Sequence, residues 1–225
     1  MKTKIIATIG PASYKERILE KMKKEGMNIM RINMKHISEK KLMKIYPIMK
    51  KLDLKIMIDI KNLKELQFVK DYEYDYLAIS FASSVSQIEK IENLAKKGVK
   101  IISKIENKKG VDNFKNILNK SYGIMIARGD LAKNISFEKV PAVQKRMIKE
   151  CNKKGKFSIT ATEMLHSMTQ NKTPKRSEVS DIANAIFEKS KALMLSEETA
   201  IGKYPALTIK VMKKIIMEAE KETKR

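Results

Sequence analysis

Lys104 and Glu106 stand two residues apart where the apolar run Lys100–Ile105 ends. On an extended segment residues two apart point to the same side, so an ammonium and a carboxylate share one space. A second carboxylate, Asp130, follows the next apolar run, Gly123–Ala127, after Arg128 and Gly129. Two carboxylates from adjacent strand ends, with lysine beside them, make a hard-oxygen site suited to Mg²⁺ or Mn²⁺, with positions open for a substrate's oxygens. Lysine beside a divalent cation is placed to stabilise negative charge developing on a phosphoryl group or an enolate. The competing reading of the same three side chains is a surface ion pair, which is common and worth little.

Such a site needs elements that bring the ends of successive strands together. Eight short, almost continuously apolar runs recur along the chain: Lys4–Ile9, Asn28–Asn33, Lys55–Ile60, Tyr76–Ser80, Lys100–Ile105, Gly123–Ala127, Phe157–Ala161 and Ala192–Leu195. They read as strands covered on both faces. Amphipathic stretches follow at Tyr14–Glu25, Ser38–Leu52, Ser84–Lys97, Lys108–Asn119, Val140–Lys154, Lys175–Phe187 and Tyr204–Glu220, with room for a short helix around Leu63–Val69. Gly26, Gly98 and Gly155 mark helix exits, where a left-handed residue is least strained. Alternation of strand and helix implies a parallel sheet, and eight units imply a closed (β/α)8 TIM barrel of the α/β class, taken here as one domain over residues 1–225. A doubly wound open sheet fits less well. Its first strand would be followed by a glycine-rich phosphate loop, whereas Ile9-Gly10-Pro11-Ala12-Ser13 supplies one glycine and a rigid proline.

A barrel carries its active site at the C-terminal strand ends. There the sequence places Arg31, Asn33, Lys35 and His36 after strand 2, Asp59 and Lys61 after strand 3, and Ser80 after strand 4. Lys104, Glu106 and Asn107 follow strand 5, and Arg128, Gly129 and Asp130 follow strand 6. Thr160, Thr162 and Glu163 close strand 7, and Ser196, Glu197 and Glu198 close strand 8.

Composition bounds the partners. The 225 residues carry 48 Lys+Arg against 26 Asp+Glu, a formal net charge of +22. A basic surface attracts phosphate, but only six of these residues are arginine, the residue of bidentate phosphate and base recognition. The lysines are dispersed, without a basic tail or aromatic interleaving, and read as solvated helix faces rather than as a nucleic-acid interface. One cysteine, Cys151, excludes an intramolecular disulfide and a multi-cysteine zinc cage. Two histidines, His36 and His166, do not suffice for a histidine-rich metal site. No apolar run approaches the ~20 residues of a membrane span, and the N-terminal apolar stretch is too short for a secretory signal. The expectation is a cytoplasmic protein without a membrane partner. The 15 methionines read as core filler.

At the strand ends the sequence resembles the pyruvate kinase family. Thr3-Lys4-Ile5-Ile6-Ala7-Thr8-Ile9-Gly10-Pro11-Ala12-Ser13 is similar to the opening of that family's barrel domain, and Met27–His36 to its second-strand motif. Ile102-Ser103-Lys104-Ile105-Glu106-Asn107 and Ile124-Met125-Ile126-Ala127-Arg128-Gly129-Asp130-Leu131 match two of its most specific motifs. Ala161–Met168, Arg176–Ala185 and Met194–Pro205 continue it, so the resemblance runs in order along nearly the whole chain. It implies a barrel that binds phosphoenolpyruvate or pyruvate with Mg²⁺ or Mn²⁺. Glu106 and Asp130 would be the metal ligands. Lys104 would stabilise the phosphoryl group in flight and the enolate. Thr162 would bind the substrate carboxylate and help deliver a proton to the methyl carbon. The backbone N–H groups around Arg128, Gly129 and Asp130 would hold that carboxylate at a helix N-terminus, and Arg31 would contact the phosphoryl group. Asn33 and Asp59 fall in the family's potassium site.

The departures are as informative. The family inserts a separate lid domain after the third strand, and here Asp59 is too close to Tyr76 for one; the regulatory domain that usually follows the barrel is also expected to be absent. Asp59-Ile60-Lys61-Asn62-Leu63-Lys64-Glu65-Leu66 stands where the family has Asp-Thr-Lys-Gly-Pro-Glu-Ile-Arg, Lys35 replaces a serine of the potassium site, and Lys64 falls where glutamate is common. An ammonium from Lys35 or Lys64 in place of the monovalent cation would remove the need for potassium. Glu197 replaces a glycine. Three functions follow: a phosphotransferase on phosphoenolpyruvate and a nucleotide; a metal-dependent lyase, aldolase or decarboxylase that forms an enolate from a 2-oxo acid; or a regulatory barrel that binds RNA or a protein. The expected ligand is a small 2-oxo acid or phosphorylated acid, and a homo-oligomer or a partner acting as lid fits the missing cover.

Overall fold

A computed structural model describes residues 1–223. Eight parallel strands close into a barrel in sequence order: β1 (Lys4–Thr8), β2 (Ile29–Asn33), β3 (Lys55–Ile60), β4 (Tyr76–Ile79), β5 (Lys100–Ile105), β6 (Gly123–Ala127), β7 (Phe157–Ala161) and β8 (Ala192–Leu195). The eight strands read from the sequence are all present, with ends that agree to within one residue. The ring closes where β1 pairs with β8, Ile5 opposite Leu193 and Ala7 opposite Leu195. Side chains cross this seam: Thr8 Oγ1 donates to the carbonyl of Leu195 at 2.9 Å, and Thr199 Oγ1 donates to the carbonyl of Thr8 at 2.9 Å.

Between the strands lie α1 (Glu16–Glu25), α2 (Glu39–Lys51), α3 (Leu63–Val69), α4 (Val85–Leu94), α5 (Lys108–Asp112), α6 (Phe114–Lys120), α7 (Arg128–Ile135), α8 (Val140–Lys153), α9 (Arg176–Phe187), α10 (Glu197–Ala200) and α11 (Pro205–Glu222). Starts are marked by side-chain caps: Ser38 accepts from Lys41 N–H, Asn62 from Glu65 N–H and Ser84 from Gln87 N–H, the bonds that satisfy otherwise orphaned donors. Gly26, Gly98 and Gly155 all have positive φ, as expected of exits. The stretch read as one helix over 108–119 is broken at Asn113, whose side chain donates to the carbonyl of Ser83 at 2.8 Å. Helix α7 has no side-chain cap and carries Gly129 in its first turn, so the family resemblance, and no capping residue, points to a helix N-terminus here. No helix among the described residues is long and apolar enough to cross a membrane.

The period of two along each strand sorts residues into two cores. Outward residues such as Ile5, Met30, Ile58, Leu77, Ile126 and Leu193 pack with the helices. Inward residues such as Ile6, Met57, Ile102, Met125, Ile159 and Met194 fill the barrel. Most methionines are buried in one core or the other. The same inward phase continues to the C-terminal ends and there turns polar: Ile6 is followed by Thr8, Ile29 by Arg31, Met57 by Asp59, Ala78 by Ser80 and Ile102 by Lys104. All five polar residues are buried. The top layer of the barrel interior is therefore a polar layer, and above it lies the mouth.

Candidate active site at the barrel mouth

Asp59 is the hub of that layer. It is 1% exposed. Its Oδ2 accepts from Arg31 Nη2 at 2.6 Å and Nε at 2.9 Å. Its Oδ1 accepts from Lys104 Nζ at 3.1 Å and from Ser80 Oγ at 3.2 Å. Burial pushes the Asp59 carboxyl up, but Lys104 and Arg31 pull it down further, and the outcome lies below the ordinary carboxylate value. Arg31 also donates to Thr8 Oγ1 at 2.8 Å, and Lys104 to Ser80 Oγ at 2.9 Å. The cations that meet Asp59 are thus Arg31 and Lys104. Lys35 and Lys64 are exposed and make no contact with it, and Asn33 Oδ1 accepts from the backbone of Lys35, capping the short turn Met34–His36.

Lys104 also reaches the first of the expected metal ligands. Its Nζ lies 3.2 Å from Glu106 Oε1, and Glu106 Oε2 accepts from the Phe81 N–H at 2.6 Å. Burial raises the Glu106 carboxyl above its ordinary value, against the pull of Lys104 and the Phe81 N–H. Asp130 enters from the first turn of α7 and is half exposed, its Oδ1 3.3 Å from the exposed Lys133 ammonium. Glu106, Asp130, Lys104, Arg31 and Thr162 line one cavity with Ser80 and Ser196. Among the described residues no three His, Cys, Asp or Glu side chains converge as a metal cage. A pair of carboxylates suits Mg²⁺, which keeps several positions for water or substrate.

The end of β7 is strained. Thr162 has φ 79° and Glu163 φ 54°, a region that a β-branched residue avoids. Arg128 holds the strained turn. Its Nη2 donates to the carbonyl of Thr162 at 2.6 Å, its Nε to the carbonyls of Ala161 and Thr162 at 3.2 Å each, and its Nη1 to Asp181 Oδ1 of α9 at 2.7 Å. The guanidinium of Arg128 is therefore spent on the turn that presents Thr162, while Gly129 packs against Thr162.

Other strand-end residues separate cleanly. Thr160 faces outward, fully buried, on Ser190 Oγ at 2.9 Å. Asn107 caps α5. Glu198 is buried and accepts from the N–H groups of Ser196 and Leu165. These three are structural. Glu197 stands exposed at the mouth, 3.7 Å from His166, and Lys61 and His36 line the same rim. Thr8 is absent from the strand-end residues read from the sequence, and Ser80, which is among them, is there without its role as a partner of Lys104. Their signal was the inward phase of β1 and β4, a polar residue two positions after an inward apolar one.

Comparison with known proteins agrees with this geometry. The family model for the pyruvate kinase barrel domain matches residues 1–59 and 48–209, two stretches that meet at β3, where the short α3 leads directly to β4. Pyruvate kinase of Chlamydia muridarum is 47% identical over 165 residues, 72% of this chain and 34% of that protein. The Methanocaldococcus jannaschii enzyme is 41% identical over 167 residues, 73% of this chain and 37% of its own. That of Dictyostelium discoideum is 45% identical over 163 residues, 71% and 32% respectively. The chain spans about a third of the length of the curated relatives it matches. With a closed eight-stranded barrel, a mouth built from the matching strand ends and this degree of identity, the chain belongs to the pyruvate kinase family.

Proposed function

We propose that the chain is a Mg²⁺-dependent phosphotransferase acting on phosphoenolpyruvate or pyruvate. The observation that carries this reading is the convergence of Lys104, Glu106 and Asp130 in one cavity whose floor is a buried cationic layer. The two carboxylates fit a hard divalent cation, which when bound would polarise substrate oxygens and offset charge on the transferring group. Lys104 is held by Asp59, Ser80 and Glu106, so its ammonium is preorganised and needs no reorganisation as negative charge develops nearby. Arg31, fixed by Asp59 and Thr8, adds a second buried positive group under the mouth. The α7 N-terminus offers backbone N–H groups to a carboxylate, and the Thr162 hydroxyl stands at the same cavity to hold that group and exchange a proton at the neighbouring carbon. Asp59 is already neutralised by Arg31 and Lys104, which supports activity without potassium.

The test is a coupled assay for pyruvate formed from phosphoenolpyruvate and ADP with Mg²⁺ or Mn²⁺, with and without K⁺. Turnover abolished in Lys104→Met supports the reading. An inactive wild-type protein that oxalate and Mn²⁺ together fail to stabilise thermally refutes it.

A second reading is favoured by the connection from β3 to β4. It consists of α3 alone, so nothing inserted there covers the mouth, and phosphoryl transfer needs water excluded. Enolisation of a 2-oxo acid needs no nucleotide: the methyl proton would pass by way of the Thr162 hydroxyl to solvent, and the cation and Lys104 would offset the charge left on the enolate oxygen. Metal-dependent deuterium exchange into the methyl group of pyruvate, without nucleotide and without net turnover, would assign that function instead.

A further inference from the structure

The face opposite the mouth is where strands begin and helices finish, and lysine collects in both positions. Each of the seven passages from a helix into a strand, counted from the last helical turn, carries at least one lysine, as at Lys51, Lys97, Lys154 and Lys189. The negative end of the helix dipole accounts for these. It does not account for the strand starts, since a sheet has little net dipole. Yet β1, β3 and β5 begin with Lys4, Lys55 and Lys100, and Lys156 and Lys191 stand one residue ahead of β7 and β8.

Inside this ring three aromatic residues close the floor of the barrel. Tyr76, Tyr122 and Phe157 have centroids 6.1 Å apart in every pair, with Tyr76 and Phe157 only 16° from parallel. Tyr122 is 40% exposed. Lys100 Nζ lies 4.9 Å from the Tyr122 centroid and 5.7 Å from that of Tyr76. The rings line a cleft that also includes Lys4 and Lys55. Of the carboxylates that line it, Glu73 is engaged by Lys50 at 2.6 Å and Asp75 by Lys55 at 2.7 Å, while exposed Asp53 has no ion pair of its own among the described residues. Among the described residues no carboxylate lies within ion-pair distance of Lys4, Lys100 or Lys191. The lysines that are dispersed along the sequence are gathered by the barrel around a ring cluster in which Tyr122 is exposed, Phe157 half-buried and Tyr76 buried.

We propose that this basal face binds single-stranded nucleic acid, with bases stacked on Tyr122 and Phe157 and phosphates met by Lys4, Lys100 and Lys191. Unpaired lysines around an open aromatic surface suit a strand whose bases are free to stack. A duplex hides those faces, and a simple polyanion has no use for the rings.

The experiment is fluorescence anisotropy with labelled 12-nucleotide uridine RNA and thymidine DNA over a range of salt, with inorganic polyphosphate as competitor. Binding is expected to weaken with salt. Tyr122→Ala should lower affinity roughly 5- to 100-fold, the range of one lost stacking contact, and Tyr122→Trp should restore it, which separates stacking from misfolding. Replacing both Lys4 and Lys191 with Gln should reduce the slope of log K against log salt by about 1.4, two phosphates at ~0.7 each. Binding of RNA alone or of both strands supports the site and tells which backbone it reads. The proposal is overturned if neither strand binds at low salt, if Tyr122→Ala binds as tightly as wild type, or if polyphosphate competes as well as the oligonucleotides. It is also overturned if only Lys35→Gln and Lys61→Gln, at the opposite end, abolish binding.

Discussion

A β-carbon on Gly129 would stand 2.8 Å from Cγ2 of Thr162. Glycine is needed here for space, and the space belongs to the residue that presents a hydroxyl to the mouth. Gly129→Ala is expected to displace Thr162 and lower kcat/KM by about tenfold or more, the scale of misplacing a group near the reaction by a fraction of an ångström to an ångström. Thr162→Ser keeps the hydroxyl and removes Cγ2, so the double variant should recover most of the loss. Kinetics on the four proteins measure the coupling; strictly additive losses would show that the contact is irrelevant.

Asp59 ties two buried cations together, and Asp59→Asn leaves Arg31 without a counter-charge and Lys104 with Glu106 alone. The expected loss of stability at pH 7 is about 3–5 kcal/mol. The carboxyl is held below its ordinary value of 3.8 in the folded protein. Its contribution is therefore complete above pH 3.8 and lost as pH falls through the lower folded value. Urea unfolding at pH 7, 5 and 3 should give a constant gap between wild type and variant at the first two and a smaller one at the third. A gap that stays constant down to pH 3, or widens there, would mean the carboxyl is not depressed.

Glu197 places a negative charge at the rim of a cavity built for anions, with its side chain 62% exposed. Glu197→Gln is expected to tighten binding of oxalate with Mn²⁺ by about threefold to tenfold at low salt, a screened Coulomb effect across the mouth. Titration calorimetry at 20 mM and 500 mM salt, round conditions chosen about either side of physiological screening, should find the gain shrinking at the higher. An equal gain at both would point to steric relief instead.

Cys151 is fully buried on α8, and burial, with Glu150 nearby, pushes its thiol up to about 12 from 9.0. Two outcomes follow. A thiol reagent should label the native protein only at the rate of unfolding. Between pH 9 and 12 the unfolded thiol ionises while the folded one holds its proton, so stability falls with rising pH. Cys151→Ala should flatten that part of the profile. Rapid labelling of native protein at pH 8 would contradict the burial.

Much of this was legible in the sequence because period and punctuation agree. Strand ends follow from the apolar runs, and α3 from the short distance between Ile60 and Tyr76. What could not be read was direction in space. Thr160 and Thr162 are two apart, yet the turn of φ at Thr162 takes it into the mouth while Thr160 stays against Ser190. Arg128 sits in a specific motif, but only the fold reveals that its guanidinium grips the carbonyl of Thr162 and Asp181. Lys35 and Lys64 read as substitutes for a cation; the fold adds that the positive groups that meet Asp59 are those of Arg31 and Lys104, from other strands. Helix α7 lacks a capping side chain, so no local signal marks it.

The β1–β8 seam has a consequence for how the barrel is made. Its contacts join residues nearly the full length of the barrel apart: Thr8 with Leu195, and Thr8 again with Thr199. During synthesis the first strand emerges long before its second partner exists. Until β8 docks, β1 presents an unpaired edge, and so does β7 at the other end of the growing sheet. Closure must bring together the most distant contacts in the ring, which places it late and makes it slow. A nascent chain stopped short of Leu195 would hold seven strands as an open, sticky sheet, and the polar layer around Asp59, which leans on Thr8 and through it on Leu195, would set only when that final strand arrives.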